Sequence, residues 1–324
     1  MMGVAEAGRR SILIGGAAAL TLGGAASPLR LGIVQSGTVQ WIAAVMARHG
    51  LDPDLSLVTL ANTDAGRVAL LAGGVDVAVS DWPFVAVQRA AGRRLVFSPL
   101  SSASGAVMVP AGSPIKTLAD LRGRKLGVAG GPVDKSWLVV KAAAHKTYGI
   151  DLATAASLAF GAPPLLGAKL QQGELDAVLT FWNFAARLEA AGFRAAVSVA
   201  DAATMLGLTG APFLVGYVFN QDWAEAHRAA IDRFLGASRT ACTLLASNET
   251  DWRTVRPLMD APDDALFDAL RRRFLAGIGH PSPGAQARDA AALFAILLRQ
   301  GGPKAVGGLT RLPPGLFWPG DDAG

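Results

Sequence analysis

The chain has 324 residues, of which 51% are hydrophobic and only 17% charged, with a formal net charge of +5. At about 100–200 residues per domain this length points to two domains, with cores large enough to need neither disulfides nor a structural metal. One cysteine, Cys242, and four histidines exclude disulfide scaffolds, zinc fingers and iron–sulfur clusters. The basic residues are scattered, and the single dense run, Arg271, Arg272 and Arg273, reads as a solvated helix face. Without an aromatic or Gly-rich recognition motif beside it, no nucleic-acid partner is expected.

In chain order, residues 1–26 read as a signal peptide to be left out of the fold. Arg9 and Arg10 form a basic start, 12–26 is an apolar run of 15 residues, and Gly24, Ala25 and Ala26 offer small residues to a signal peptidase. Such a run is shorter than the roughly 20 residues a spanning helix needs. Arg9 and Arg10 followed by Ser11, Ile12 and Leu13 also fit a twin-arginine signal, so both export routes stay open. No cysteine lies near the cleavage site to carry a lipid. Removing 1–26 takes away Arg9, Arg10 and Glu6, which lowers the net charge from +5 by one to +4. An exported, periplasmic protein works where ATP and NAD(P)H are scarce.

The remaining chain alternates. Strands are expected at 29–34, 55–60, 75–80 and 95–100, with helices at 39–49, 64–71 and 83–91. The pattern restarts with a strand at 125–128, a long helix at 134–148, and strands at 157–160 and 177–180, each followed by a helix. From 221 onward the spacing is helical, at 222–246, 263–276 and 284–300, and the Pro/Gly-rich tail 312–324 is expected to lie extended on the surface. Alternation of this kind implies βαβ units and an α/β fold of mainly parallel sheets flanked by helices.

Residues 70–94 and 170–194 repeat each other. Leu70, Gly73, Asp76, Trp82, Phe84, Ala86, Ala90, Ala91, Gly92 and Arg94 recur 100 positions later, ten identities in 25 ungapped positions. A looser match joins Leu31–Val34, Trp41 and Gly50-Leu51-Asp52 to Leu126–Ala129, Trp137 and Gly149-Ile150-Asp151. Two copies of this size indicate two similar lobes. Ligands of open parallel sheets bind at the carboxyl ends of the strands. Trp41 and Trp82 are therefore expected at the cleft edge of one lobe, and Trp137 and Trp182 at that of the other. The alternative is that these indoles anchor helices to their sheets.

The strand-to-helix loops supply the other candidate ligand-binding residues. Ser36, Gly37, Thr38 and Gln40 precede the first helix, where free backbone N–H groups bind polar ligand heads, unless Thr38 is an ordinary cap. Asp64, Ser80 and Asp81 stand before the next two helices as caps or contacts. Gly130 and Gly131 allow close backbone approach ahead of Asp134 and Ser136. Thr180, Phe181 and Asn183 form the matching loop of the second lobe. Lys135 and Arg67 are the only cations nearby. The glycine runs have neither dinucleotide nor Walker spacing, the histidines have no metal-ligand spacing, and no nucleophile elbow appears. No cofactor, metal or catalytic residue is expected.

Three stretches carry a family resemblance: 71–78 (LAGGVDVA), 115–128 (IKTLADLRGRKLGV) and 170–177 (LQQGELDA). The chain resembles the substrate-binding proteins of ABC importers of the nitrate/sulfonate/taurine type, which include binders of thiamine pyrimidine precursors. The resemblance covers about 29–301. It implies a two-lobed periplasmic-binding-protein class II fold with a two-strand hinge, crossing near 100–106 and 209–218. Lobe one would comprise 27–103 and 213–324, with a helical C-terminal part, and lobe two 104–212. It implies capture of a small molecule in the inter-lobe cleft by a monomer and delivery to an ABC permease. The alternative is an enzyme on the same scaffold, a lyase or a pyrimidine-forming enzyme. The aromatic-Pro-Asn-Pro-Asp-His type of stretch of the pyrimidine-precursor binders is absent, as is an Arg-rich anion clamp. Indole walls bind flat rings and cations, whereas small anions need donors. A planar aromatic or heterocyclic solute, or an amine-bearing one, is therefore expected ahead of an inorganic anion.

If the twin-arginine route operates, replacing Arg9 and Arg10 together by Lys abolishes export, which cell fractionation measures. Normal export of the double variant makes the ordinary secretory signal the correct reading.

Overall fold

The computed structural model describes residues 28–34 and 37–319. The expected signal peptide 1–26 and Ser36 lie outside the described residues.

The first lobe builds on three βα units. β1 (Leu29–Val34) leads to α1 (Val39–His49), β2 (Leu55–Leu60) to α2 (Thr63–Leu71), and β3 (Val77–Asp81) to α3 (Trp82–Ala90), followed by β4 (Leu95–Ser101). The second lobe opens with β5 (Ala106–Pro110). It continues through β6 (Lys125–Ala129), α4 (Lys135–Tyr148), the short α5 (Leu152–Ala155), β7 (Ser157–Gly161) and α6 (Pro163–Gln171). It ends with β8 (Ala177–Thr180), α7 (Trp182–Ala190), β9 (Phe193–Ser198) and α8 (Val199–Leu206). β10 (Val215–Asn220) returns to the first lobe. Five helices follow: α9 (Gln221–Ala226), α10 (Arg228–Ser247), α11 (Glu249–Val255), α12 (Asp264–Gly277) and α13 (Pro283–Ala305).

The two sheets have the same order, β2-β1-β3-β10-β4 and β7-β6-β8-β5-β9. In the first, β1 pairs in parallel with β2 and β3, while β10 runs antiparallel between β3 and β4. In the second, β6 pairs in parallel with β7 and β8, and β5 runs antiparallel between β8 and β9. Each sheet thus has four strands in one direction and one reversed strand. The reversed strand sits beside a crossing between the lobes, and the two-lobed fold with two crossings is the one the sequence implies. β5, β9 and β10 were not among the strands expected from alternation. β5 and β10 are covered on both faces, so they show no period-two pattern.

The sequence repeat has a structural cause. Asp76 accepts the backbone N–H of Arg30 at 2.8 Å and returns its own N–H to the Arg30 carbonyl at 2.9 Å. Asp176 does the same with Lys125, at 2.7 and 2.9 Å. Each aspartate therefore fixes the start of the third strand beside the first strand of its lobe. Arg30 adds a two-pronged ion pair to Asp76, at 2.6 and 3.1 Å, that Lys125 lacks.

The C-terminal part departs from expectation in three places. The expected helix 222–246 is two helices, α9 and α10, broken at His227. α13, expected with lobe one, packs against α4 of lobe two. A Cβ on Gly301 would lie 2.7 Å from the Leu138 side chain. Gly302, at φ 67°, then turns the chain back, and the tail is not a surface ribbon. Leu316 and Trp318 are buried. Phe97 donates its N–H to the Leu316 carbonyl and accepts that of Trp318, both at 2.9 Å. The arginine run is likewise not simply solvated. Arg271 pairs with Glu249, and Arg272 and Arg273 both pair with Glu189 on α7. Burial raises the Glu189 pKa, but the two guanidiniums outweigh it and hold the carboxyl below the usual range.

The crossings themselves, 102–105 and 207–214, are pinned. Ser102 donates its N–H to the Gly277 carbonyl at 2.8 Å, and a Cβ on Gly105 would lie 1.8 Å from the Thr180 carbonyl oxygen. Only glycine fits this approach of backbone to backbone. Gly105→Ala should destabilise the protein by about 1–3 kcal/mol, the usual cost of overpacking. Gly112→Ala, which meets nothing within 4 Å, should stay within about 0.5 kcal/mol. Urea unfolding of both variants is the check, and equal midpoints would contradict this packing.

Candidate functional site

A cavity of about 840 Å³ lies between the two sheets. The two crossings and the strand ends beside them, 100–105 and Ala211, Pro212, Leu214 and Val215, line one side of it. Gly37, Thr38 and Trp41 at the start of α1 and Thr63 at the start of α2 contribute from lobe one. Asp134, Lys135 and Ser136 at the start of α4, and Phe181, Trp182, Asn183, Phe184 and Arg187 on and before α7, contribute from lobe two. The turn at Leu258, Met259 and Asp260 completes the wall. These positions follow from the fold, because α1, α2, α4 and α7 all begin at the carboxyl ends of their strands.

The lobes touch across this cavity. The Trp41 and Trp182 rings meet edge to face, 6.3 Å apart at 89°, a favoured aromatic geometry. Trp41 Nε1 donates to the Leu258 carbonyl at 3.4 Å. Lys135 Nζ reaches Asp81 Oδ2 of lobe one at 3.1 Å, and Arg187 reaches Asp260 at 3.3 Å. Asp260 stands at φ 49°, the only non-glycine with positive φ among the described residues. That strain falls at the edge of the cavity, where such strain is commonly concentrated.

Of the expected contact residues, Gly37, Thr38, Trp41, Asp134, Ser136, Phe181, Trp182 and Asn183 line the cavity. The others do not. Gln40 donates its amide to the Val34 carbonyl at 3.2 Å. Asp64 is exposed and paired with Arg67, and the cap of α2 is Asn62. Ser80 is buried and accepts from Arg67 Nε at 2.8 Å. Asp81 caps α3 through the Phe84 N–H at 2.9 Å and spends its other oxygen on Lys135. Gly130 and Gly131 form the turn before α4, where a Cβ on Gly130 would crowd the Asp134 side chain at 3.1 Å. Thr180 is buried, and its hydroxyl has no hydrogen-bond partner among the described residues.

The expected four-indole box is a two-indole pair. Trp82 is 1% exposed and belongs to the core with Val85 and Phe97. Trp137 is also buried and meets Phe160 edge to face. β3 ends at Asp81 and α3 begins at Trp82, so no loop lifts this indole to the surface. The Trp82 N–H donates to the Leu214 carbonyl at 3.3 Å, which lays the crossing over the helix start. Its repeat partner Trp182 instead meets Trp41. The sequence reading missed Thr63, the crossing residues, Arg187 and 258–260. The crossings were legible from the hinge, but 258–260 lies outside the repeat and carries no pattern.

Chemically, the cavity mixes aromatic walls with neutral polar groups. None of the four histidines lines it. Cys242 is buried in α10, and burial pushes its thiol up to about 12. Asp134 caps α4 through the Trp137 N–H at 3.1 Å. Burial raises its pKa, against lowering by that hydrogen bond and by Lys135.

The sequence matches the NMT1/THI5-like family over residues 46–250. The chain belongs to the NMT1/THI5-like family. No curated protein matches it significantly. Among solved structures, the chain is similar to the periplasmic aliphatic sulphonate-binding protein SsuA of Escherichia coli, with 23% identity, a TM-score of 0.69, and 92% and 95% of the two chains covered. It is also similar to the alkanesulfonate-binding protein SsuA of Xanthomonas axonopodis pv. citri bound to MOPS, with 18% identity, a TM-score of 0.61, and 85% and 94% covered. A third similar structure is the desulfurization enzyme DSZB, with 13% identity, a TM-score of 0.57, and 85% and 92% covered. The fold is that of the two-lobed periplasmic binding proteins.

Two outcomes test this placement. Trp82→Ala should cost about 3–5 kcal/mol of stability, as large core truncations do, and a loss below about 1 kcal/mol would contradict its core position. Asp134 binds its proton more tightly folded than unfolded, so stability should fall as pH rises from about 3.9 through its raised folded pKa. Asp134→Asn keeps a good cap and should flatten that decline in melting temperature against pH. An unchanged profile would contradict the buried carboxyl.

Proposed function

We propose that the protein is an extracytoplasmic, periplasmic solute-binding protein that captures a small organic molecule between its lobes and delivers it to an ABC importer. The observation that carries this reading is the cavity of about 840 Å³ between two lobes joined by two crossings. That volume falls within the roughly 300–1,000 Å³ of small-molecule sites and is far larger than an inorganic anion requires. Walls drawn from both lobes mean that a bound solute touches both, which favours the closed arrangement. The similar SsuA structures are named for sulfonate binding, which supports a binding role.

The similarity to DSZB keeps an enzyme on this scaffold as the rival reading. Neither a histidine nor Cys242 lines the cavity, so an enzyme here would have to work through Asp134, Lys135 or the lining hydroxyls rather than a Cys–His pair.

The test uses the solute recovered by native mass spectrometry from protein purified gently from its host. Isothermal titration should show one-to-one binding, and Trp182→Ala should weaken it by about 1–3 kcal/mol, the truncation cost of an anchoring aromatic. Trp223→Ala, on α9 and stacked on His227, is the control. A new product in the mass spectrum would sink the binding-protein reading. Unchanged affinity in Trp182→Ala would sink the role of the indole wall.

A further inference from the structure

We propose that Arg272 and Arg273 brace the hinge: from α12 they grip Glu189 of α7, on the other lobe, and so oppose opening of the cleft. The inference goes beyond the binding-protein reading, because it concerns the lobes with or without a solute. The Glu189 carboxylate accepts from Arg273 Nη2 at 2.6 Å and Nε at 3.0 Å, and from Arg272 Nη2 at 2.9 Å. The pair with Arg273 is the two-pronged fork in which guanidinium and carboxylate bind most strongly. The Arg273 side chain is 15% exposed and that of Glu189 22%, so salt screens them less than it screens a surface pair.

α12 is placed to act on both lobes. Its residues Phe267, Leu270 and Phe274 share one helix face and enter the core of lobe one with Trp41 and Trp252. The Phe274 and Trp41 rings lie 5.2 Å apart. Its last residue, Gly277, lies against the first crossing, where a Cβ would come within 2.5 Å of the Ala103 backbone. α7 brings lobe two to the same helix. Trp182, Ala186, Glu189 and Ala190 fall on one face of α7, and the three apolar members of that face join the cluster that holds α12.

With α12 seated in lobe one, the lobes cannot rotate apart without drawing α7 off it. Both cations of Glu189 belong to α12, so parting leaves the carboxylate uncompensated, which costs more than the pair contributed. The other pairs across the cleft are of a different kind. Asp81 keeps Arg67, of its own lobe, at 3.4 Å when Lys135 leaves, and the partner of Arg187, Asp260, is 92% exposed. Exposed pairs of that sort contribute little. Arg271, the first residue of the run, turns the other way. It pairs with Glu249 on α11 and lies over the Trp252 ring, within lobe one.

The test needs no solute. Spin labels on cysteines placed at the exposed Val68 and Leu165 report the separation of the lobes in solute-free protein by double electron–electron resonance. Glu189→Gln keeps the size of the side chain and removes its charge. It should raise the ratio of long to short distances roughly five-fold, the upper end for an ion pair that is not fully buried. Arg273→Lys keeps a cation but loses the fork, and should move the ratio the same way by less. Arg271→Gln, whose partner lies in its own lobe, should leave the distribution as in the wild type. Circular dichroism melting shows which variants are folded at the measuring temperature. A wild-type distribution in Glu189→Gln would overturn the inference, and so would an Arg271→Gln variant that opens as far as Glu189→Gln. If Glu189→Gln does not fold, Arg273→Lys decides, and a wild-type distribution there overturns the inference. Each of these results leaves the binding-protein reading to the titration with the host-derived solute.

Discussion

The crossing at 102–105 is held by contacts that leave it no room, and the site depends on them. Gly105 lies against the Thr180 carbonyl closer than any side chain allows. Ser102 is tied to the carbonyl that ends α12. The same residues line the cavity, so the joint between the lobes and the wall of the site are one structure. A solute that touches this wall touches one of the two crossings that must bend if the lobes separate.

Around that joint the two lobes are near copies, and the copying has a purpose in each. Asp76 and Asp176 hold the same two backbone groups of the first strand, which sets where the third strand begins beside it. The copies diverge where they meet. Trp82 is covered by the crossing at Leu214, while Trp182, its counterpart, is turned to Trp41. A two-fold repeat thus produces a site without two-fold symmetry, because the covering segment passes over one lobe only. α13 adds a further asymmetry, packing on α4 before the tail returns to β4.

Most of the fold was legible in the sequence. The apolar runs at Leu29–Val34 and Leu55–Leu60 and the capped helix starts are local signals. What failed was non-local. β5 and β10 pair with strands far away in the chain, β8 and β9 for the one and β3 and β4 for the other, and their two covered faces erase the alternation that marks a strand. In the site, the strand-to-helix loops expected to supply ligand contacts place Thr38, Asp134 and Asn183 on the cavity wall. The depth of each tryptophan was not legible, because it depends on what packs over the helix start. Trp82 and Trp182 have the same local sequence pattern and opposite surroundings. The turn at 258–260 enters the site only through tertiary packing, which no local pattern announces.

The central claim is that the lobes close on a solute, and a distance across the cleft tests it most directly. Val68 on α2 and Leu165 on α6 are exposed, one on each lobe, and the native Cys242 is buried. Spin labels on cysteines placed at these two positions report the separation by double electron–electron resonance. The account predicts a broad distribution for the empty protein that narrows and shifts to shorter distance when the host-derived solute is added. The same distribution with and without saturating solute would contradict it.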